Sequence, residues 1–434
     1  MKDNRINIVI FVLLAVRFWI AFQGYSGDIN NHISWAKSAA KFGLSGIYER
    51  DYPGTMRPTY PPPTLYLFTI EYQIYHQVYT QLYRINQKIP VFPSRLIWYL
   101  ERPQALPAFL KLQSIFSDLF LAIILGKIAS SLKPKSPLSK LIPVFWLANP
   151  AVIHNSSYWG QIESLPLLFV FLSVLSLINK RTHLAHVSFA MALLSKQSSL
   201  VFFPAFLIWS HLKFGTKKTL QGLLIQTTCF IVAYLPIYGL SLGNSFRNYI
   251  HIISVGSGSD YITDHAFNTW VLLSGLGKVH DSVKYLAFSA GTWGKLLTGV
   301  FLAWPIYLSL KKKTTEYMIY LMALLPLVSF LFLTRMHERY LEAALPAALL
   351  LSLFLNRNII VYLTLSAINF LNLYHNWESP MFPAFNRLLS NNLTISSISA
   401  ANLVTFLLLL YHLKTSQKSR TTNPEGSFYR KIDA

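Results

Sequence analysis

The chain has 434 residues, of which 53% are hydrophobic and only 13% charged, and its mean hydropathy is +0.39. Soluble domains carry about twice that charged fraction, so the composition excludes an ordinary soluble domain. The net charge of +21 then reads as basic loops between membrane crossings rather than as a nucleic-acid surface. The single cysteine, Cys229 in an apolar run, excludes an internal disulfide framework and a cysteine-rich metal site.

Orientation follows from the charges. Lys2 and Arg5 place the N-terminus inside, and residues 1–23 form the first transmembrane segment, with no small-residue cleavage site and so read as a retained anchor. The segment 24–107 follows as a large external loop opening on Gly27-Asp28-Ile29-Asn30-Asn31-His32-Ile33-Ser34-Trp35. At this boundary Asp28 is either a helix N-cap answering the free amides of a first turn or a base facing a substrate that arrives along the lipid. Tyr60-Pro61-Pro62-Pro63 stiffens the chain. The stretch 60–83, with Glu71, Gln73, His76, Gln77 and Gln81 among its aromatics, reads as an interfacial amphipathic helix.

Residues 108–242 are expected to hold transmembrane helices two to seven. Lys127, Lys133, Lys135 and Lys140 mark an inside loop after the run 108–128; 141–153 rises to Asn149-Pro150, and 165–179 descends to Lys180-Arg181. The pieces 184–194 and 198–212 are short for crossings, so Ser195-Lys196-Gln197 is expected to end a broken helix facing an external cavity, tolerated at membrane depth only inside protein or against water. The run 220–240 rises again after Lys213, Lys217 and Lys218 to a second external loop, 243–283, which holds Asp260, Asp264, Asn268 and Trp270. Residues 284–413 supply helices eight to twelve, turning outside at Arg335-Met336-His337-Glu338-Arg339-Tyr340 and inside at Arg357. The tail 414–434, with Lys414, Lys418, Arg420, Arg430 and Lys431, ends inside. The expectation is an all-α integral membrane protein, a polytopic helical bundle with about twelve transmembrane helices and two large external loops. No repeat of solenoid or transporter type is visible.

This topology gathers the polar chemistry on one side: Asp28, His32, Trp159-Gly160-Gln161, Glu163, Lys196, Asn268, Trp270, Arg335, His337, Glu338 and Arg339. Each has a plainer role available. Lys196 can snorkel to the interface, Trp159 can anchor there, and Glu163 can answer a helix dipole. Asn268 and Trp270 can close a loop, Arg335–Arg339 can be a solvated loop with an internal Glu–Arg pair, and His32 can be a hydrogen-bond partner of Asp28 rather than a metal ligand. Taken together they suggest a division of charge. Lys196, Arg335, Arg339 and His337 would hold an anion such as a lipid-borne phosphate, leaving Asp28 free to take a proton. HExxH, Walker-type and GxGxxG motifs are absent, so no metal, cofactor or nucleic-acid partner is expected.

Asp28-x-x-x-His32-x-x-Trp35, Tyr60-Pro61-Pro62, Ser117-Asp118-Leu119, Asn149-Pro150, Ser195-Lys196-Gln197, Asn268-x-Trp270 and His337-Glu338 occur in an order that resembles the polyprenyl-phosphate-sugar-dependent glycosyltransferases of the GT-C fold. Within that group the chain is similar to the dolichyl-phosphate-glucose glucosyltransferases, over residues 1 to about 345. The resemblance implies a GT-C-type bundle in which Asp28 is the general base of an inverting transfer, from a polyprenyl-phosphate sugar donor to a lipid-linked saccharide acceptor, on the outer face of the membrane. It implies substrate contacts from His32, Trp35, Tyr60, Trp159, Gln161, Glu163, Gln197, Asn268, Trp270, Glu338 and Arg339, and phosphate contacts from Lys196, Arg335 and His337. Trp159-Gly160-Gln161 looks more like bacterial and archaeal members, which favours a cell membrane, with the endoplasmic reticulum as the alternative. Ile29, where protein O-mannosyltransferases carry a second acid, argues against protein mannosylation. The rival readings are a mannosyl or aminosugar transferase acting on cell-envelope glycolipid, and a transporter or flippase of a lipid-linked anion.

Overall fold

The computed structural model describes residues 3–255, 258–355 and 359–421. Lys2, Arg357, Arg430, Lys431 and the side chains of Lys418 and Arg420 lie outside the described residues.

Helices dominate. The chain runs through α1 (Asp3–Ala21), α2 (Asp28–Phe42), α3 (Pro62–Lys88), α4 (Arg95–Glu101), α5 (Ala105–Leu110), α6 (Leu112–Leu132), α7 (Pro137–Leu147) and α8 (Pro150–Val152). A π-helical stretch, Ile153–Trp159, leads to α9 (Ser164–Ile178) and α10 (Thr182–Ser195); a 3-10 turn, Gln197–Phe202, leads to α11 (Phe203–Tyr238) and α12 (Leu242–Val255). Then come β1 (Thr263–Asp264), α13 (Val271–Ser274), β2 (Lys284–Tyr285), β3 (Phe288–Ser289), α14 (Ala290–Lys312), α15 (Thr315–Phe332) and β4 (Met336–His337). A 3-10 turn, Glu338–Ala344, precedes α16 (Leu345–Leu351), α17 (Ile360–Asn376), α18 (Pro383–Leu389) and α19 (Asn392–Thr421).

Among the described residues, four helical segments are long and apolar enough to cross a membrane: Ala105–Leu132, Gln197–Tyr238, Thr315–Phe332 and Asn392–Thr415. Ser164–Ile178 and Thr182–Ser195 are shorter apolar helices. Large apolar side chains stand outward along the bundle, among them Phe11, Trp19, Val232, Val300 and Tyr411, each more than 60% exposed. Such a girdle is costly in water and at no cost in lipid. The centre is α15, whose apolar stretch is 89% buried among α14, α16, α19 and the two 3-10 turns.

Two breaks expected from the sequence, one from short apolar runs and one from the charges, are present. The helix stops at Ser195, Lys196 is extended, and the 3-10 turn follows. Within α11, Gly215 leaves helical geometry at φ 79°, a conformation that suits glycine. Ser210 Oγ and Gln226 Nε2 lie 3.0 and 3.1 Å from opposite nitrogens of the His186 ring. A continuous helix would hold those two residues roughly 24 Å apart, so the chain reverses at Gly215, between the runs 198–212 and 220–240.

The segment 60–83 is helical as expected, but longer. Its buried face, Thr64, Leu65, Phe68 and Glu71, lies against protein. Glu71 accepts from the Gln113 backbone N–H at 2.6 Å and from its side chain at 3.1 Å, fastening α3 to the start of α6. The stretch 141–153 is divided, with α7 ending at Leu147 and the Asn149 side chain capping α8 through the Ala151 N–H at 2.9 Å.

Candidate functional site

Asp28 is the first residue of α2. The cap position belongs to Gly27, which has no side chain to bond, and the Asp28 carboxylate makes no capping bond, so its N-cap role is corrected. The carboxylate turns instead to the other side of the chain. Trp159 Nε1 donates to Asp28 Oδ2 at 3.1 Å and Gln161 Nε2 donates to the same oxygen at 2.5 Å. Among the described residues nothing donates to Oδ1. Trp159 is buried, which corrects its role as an interfacial anchor.

The two donors are held in register by what lies between and behind them. Gly160 sits at φ 95°, and a Cβ there would meet Ile29 Cδ1 at 2.4 Å and Lys111 Cε at 3.3 Å. Ser26 N donates to Trp159 O at 3.3 Å, closing the turn before Asp28 onto the π-helical stretch. Behind it, Arg17 and Asp118 form a fully buried pair at 2.7 Å. Ser156 and Ser164 hydroxyls donate to Asp118 at 2.6 and 2.5 Å, and Arg17 Nη2 donates to Leu147 O at 2.8 Å. This network ties α1, α6, α7, α9 and the π-helical stretch to one point. Ser117-Asp118-Leu119 is one of the motifs that carry the resemblance and had no role assigned, and its partner Arg17 carried no sequence signal.

Lys196 is buried and pairs with Glu163 Oε1, so it does not snorkel to a surface. Arg339 approaches the same Glu163 oxygen at 3.4 Å and pairs with Glu338 at 2.8 Å, so the internal Glu–Arg pair of that loop is present. The Lys196 ammonium stands 5.4 Å from the Tyr60 ring centroid and 6.0 Å from that of Tyr340. The Asp28 charge acts on Lys196, Arg339 and Tyr60, which places these groups around one centre. His32 belongs to the same group: it is buried and stacks on Phe68 at 4.3 Å, beside Trp35 at 5.5 Å and Tyr60 at 5.7 Å. Burial pushes its pKa down to about 3, with Asp28 opposing the shift and Lys196 and Arg339 adding to it, so the imidazole is neutral. Trp35 Nε1 donates to Met56 O at 2.6 Å, holding the loop after α2.

The expected division of charge is corrected. Arg335 is engaged by Asp281 at 2.7 Å and Asp260 at 2.8 Å, both from the segment 243–283. His337 Nδ1 lies 3.5 Å from Asp264 and 3.8 Å from Glu338. The cations therefore meet carboxylates already, and an anion entering here competes with them rather than filling a bare positive pocket. Asn268 and Trp270 close a loop: Asn268 Oδ1 accepts from Trp270 N at 3.1 Å and Trp270 Nε1 donates to Phe332 O at 2.8 Å. They anchor the second loop to the end of α15, and the parallel pair β1–β4 completes the join.

Two cavities adjoin this centre. One, of about 390 Å³, is largely apolar, lined by Leu167, Val201, Phe330 and Ala343 with Glu163 and Arg339 at one end. The other, of about 710 Å³, is lined by Lys196, Gln197, Lys295, Arg335 and Asp281. They share Ser198, Leu200, Leu333, Met336 and Tyr340, so a polar chamber and an apolar cleft have a common wall. Lys295, on α14, was missed in the sequence, where it is one lysine among many. The chain matches no protein-family model, and no curated protein matches it.

Proposed function

We propose that the chain is an inverting glycosyltransferase of GT-C type with about twelve membrane crossings. It moves a hexose from a polyprenyl-phosphate sugar to a lipid-linked glycan or glycolipid on the outer face of the membrane. The observation that carries this reading is Asp28: a carboxylate held through one oxygen by Trp159 and Gln161, with no donor to the other among the described residues, whose charge acts on Lys196 in the wall of a chamber that also holds Lys295, Arg335 and Asp281 and shares a wall with an apolar cleft. A lipid phosphate is an amphiphile of that shape, and the motif resemblance supplies the sugar.

In this mechanism Asp28 Oδ1 accepts the proton of an acceptor hydroxyl as that oxygen bonds to the anomeric carbon. The bond from that carbon to the phosphate oxygen breaks, and the lipid phosphate leaves with the electron pair on the opposite face. Lys295 at the wall of the polar chamber is placed to meet its charge, and Lys196 and Arg335 join it as the anion displaces Glu163, Asp260 and Asp281 from them; in water-poor surroundings such contacts gain strength. Movement of a lipid-linked anion across the bilayer would use the same amphiphilic chamber but would give Asp28 no proton to take. Of the two membrane settings, the Trp159-Gly160-Gln161 pattern favours a bacterial or archaeal cell membrane.

The test is transfer of radiolabelled sugar from a panel of polyprenyl-phosphate hexoses, mannose and aminosugars included, into extractable glycolipid by the full chain in liposomes. Asp28→Asn is expected to lower transfer about 10²–10⁴-fold while donor binding persists. Equal rates for both proteins would remove Asp28 from the chemistry. Lipid translocation without transfer would establish the flippase reading instead.

A further inference from the structure

At the other end of α1 from Asp28 a third cavity, of about 750 Å³, opens between α1, α6, α7 and α9. Asn7 on its wall lies about 21 Å along α1 from Ala21, which ends the helix near the candidate site. Its polar lining includes Lys127, Lys140 and Arg181 with the amides of Asn7 and Asn179 and the hydroxyl of Ser131. Among the described residues lining it there is no carboxylate. Its floor is built by close helix approach: a Cβ on Gly126 would stand 2.8 Å from Pro143 Cγ, so only glycine lets α7 lie this close to α6.

We infer that this cavity binds a phosphate-bearing anion, independently of the site around Asp28. Lys127 and Arg181, set among neutral amide and hydroxyl groups with no carboxylate among the described lining residues, match the charge and acceptor-rich surface of a phosphate ester. The walls give the ligand a direction. Ile10 and Ile123 line the cavity on its apolar side, and beyond them Phe11 and Phe120 are 73% and 51% exposed on the outer faces of α1 and α6. Polar groups at the helix ends and exposed apolar groups one or two turns along are the profile of a lipid headgroup with its chains against the bundle. A soluble phosphate ester shares the headgroup chemistry but has no use for the apolar side.

Native mass spectrometry of the full chain in detergent, titrated with dioleoyl-phosphatidylglycerol, dioleoyl-phosphatidylcholine or inorganic phosphate, separates these sources. Retention of phosphatidylglycerol over phosphatidylcholine is expected. It should weaken roughly thirtyfold in Lys127→Gln/Arg181→Gln, each cation contributing about fivefold, and survive in the charge-keeping Lys127→Arg/Arg181→Lys. Both substituted side chains are exposed, so both variants are expected to fold. Binding of phosphate alone, lost in the same neutral variant, would identify a soluble anion as the ligand and keep the site. Equal retention of both lipids by the wild type without phosphate binding, or binding unchanged in the neutral variant, would overturn it. None of these outcomes depends on sugar transfer.

Discussion

At the scale of single residues, the pairing of Asp28 with Trp159 and Gln161 spans more than 130 positions and was invisible as a contact, although all three were singled out separately. Hydrogen bonds to a carboxylate contribute about 1.5–3 kcal/mol each, and here two converge on one oxygen and set the direction of the other. Gln161→Met keeps the side-chain volume and removes the shorter bond. If Gln161 positions the base, kcat per folded enzyme falls at least about tenfold, while KM for the donor stays as in the wild type and the unfolding temperature drops only modestly. A matched fall in activity and in folded protein would reduce Gln161 to a structural role. What the sequence showed at this scale was residue type. What it hid was which charges neutralise each other. Arg335 meets Asp260 and Asp281, and Lys196 meets Glu163, through folding contacts that leave no local pattern.

At the scale of elements, the local signals were strong where chemistry is local. Lysine clusters flank the reversal at Gly215, and two apolar runs too short to be independent crossings bracket the break at Lys196. The illegible part is the buried Arg17–Asp118 pair, since a lone arginine in an apolar run looks like a snorkelling side chain. The structure makes it the common anchor of α1, α6, α7, α9 and the π-helical stretch. Removing one member of a buried pair strands the other and costs about 3–5 kcal/mol, whereas replacing both by apolar residues is often neutral. Asp118→Leu is therefore expected to lower the unfolding temperature in detergent sharply, and Arg17→Met/Asp118→Leu to recover most of it. A double variant as unstable as the sum of the singles would show that the serine hydroxyls, not the ion pair, hold these helices together.

At the scale of the whole molecule, the segment 243–283 is bound to the end of α15 by Arg335, Trp270 and the β1–β4 pair, and so forms one wall of the polar chamber. The other wall comes from the broken helix at Lys196, and the apolar cleft runs from there along α15. A donor with a long hydrocarbon tail would lie across both spaces, with its phosphate near Lys196 and its first apolar carbons in the cleft; a short-chain donor would use the chamber alone. Each methylene withdrawn from water contributes about 0.8 kcal/mol, so two methylenes displaced from the cleft already weaken binding more than tenfold. Ala343→Trp places an indole in the cleft away from Asp28. It is expected to raise KM at least about tenfold for a polyprenyl-phosphate hexose and to leave KM for a citronellyl-phosphate hexose nearly unchanged. Equal effects on both donors would mean that the tail runs elsewhere, along the outer face of the bundle, and that the cleft beside Glu163 and Arg339 serves the acceptor.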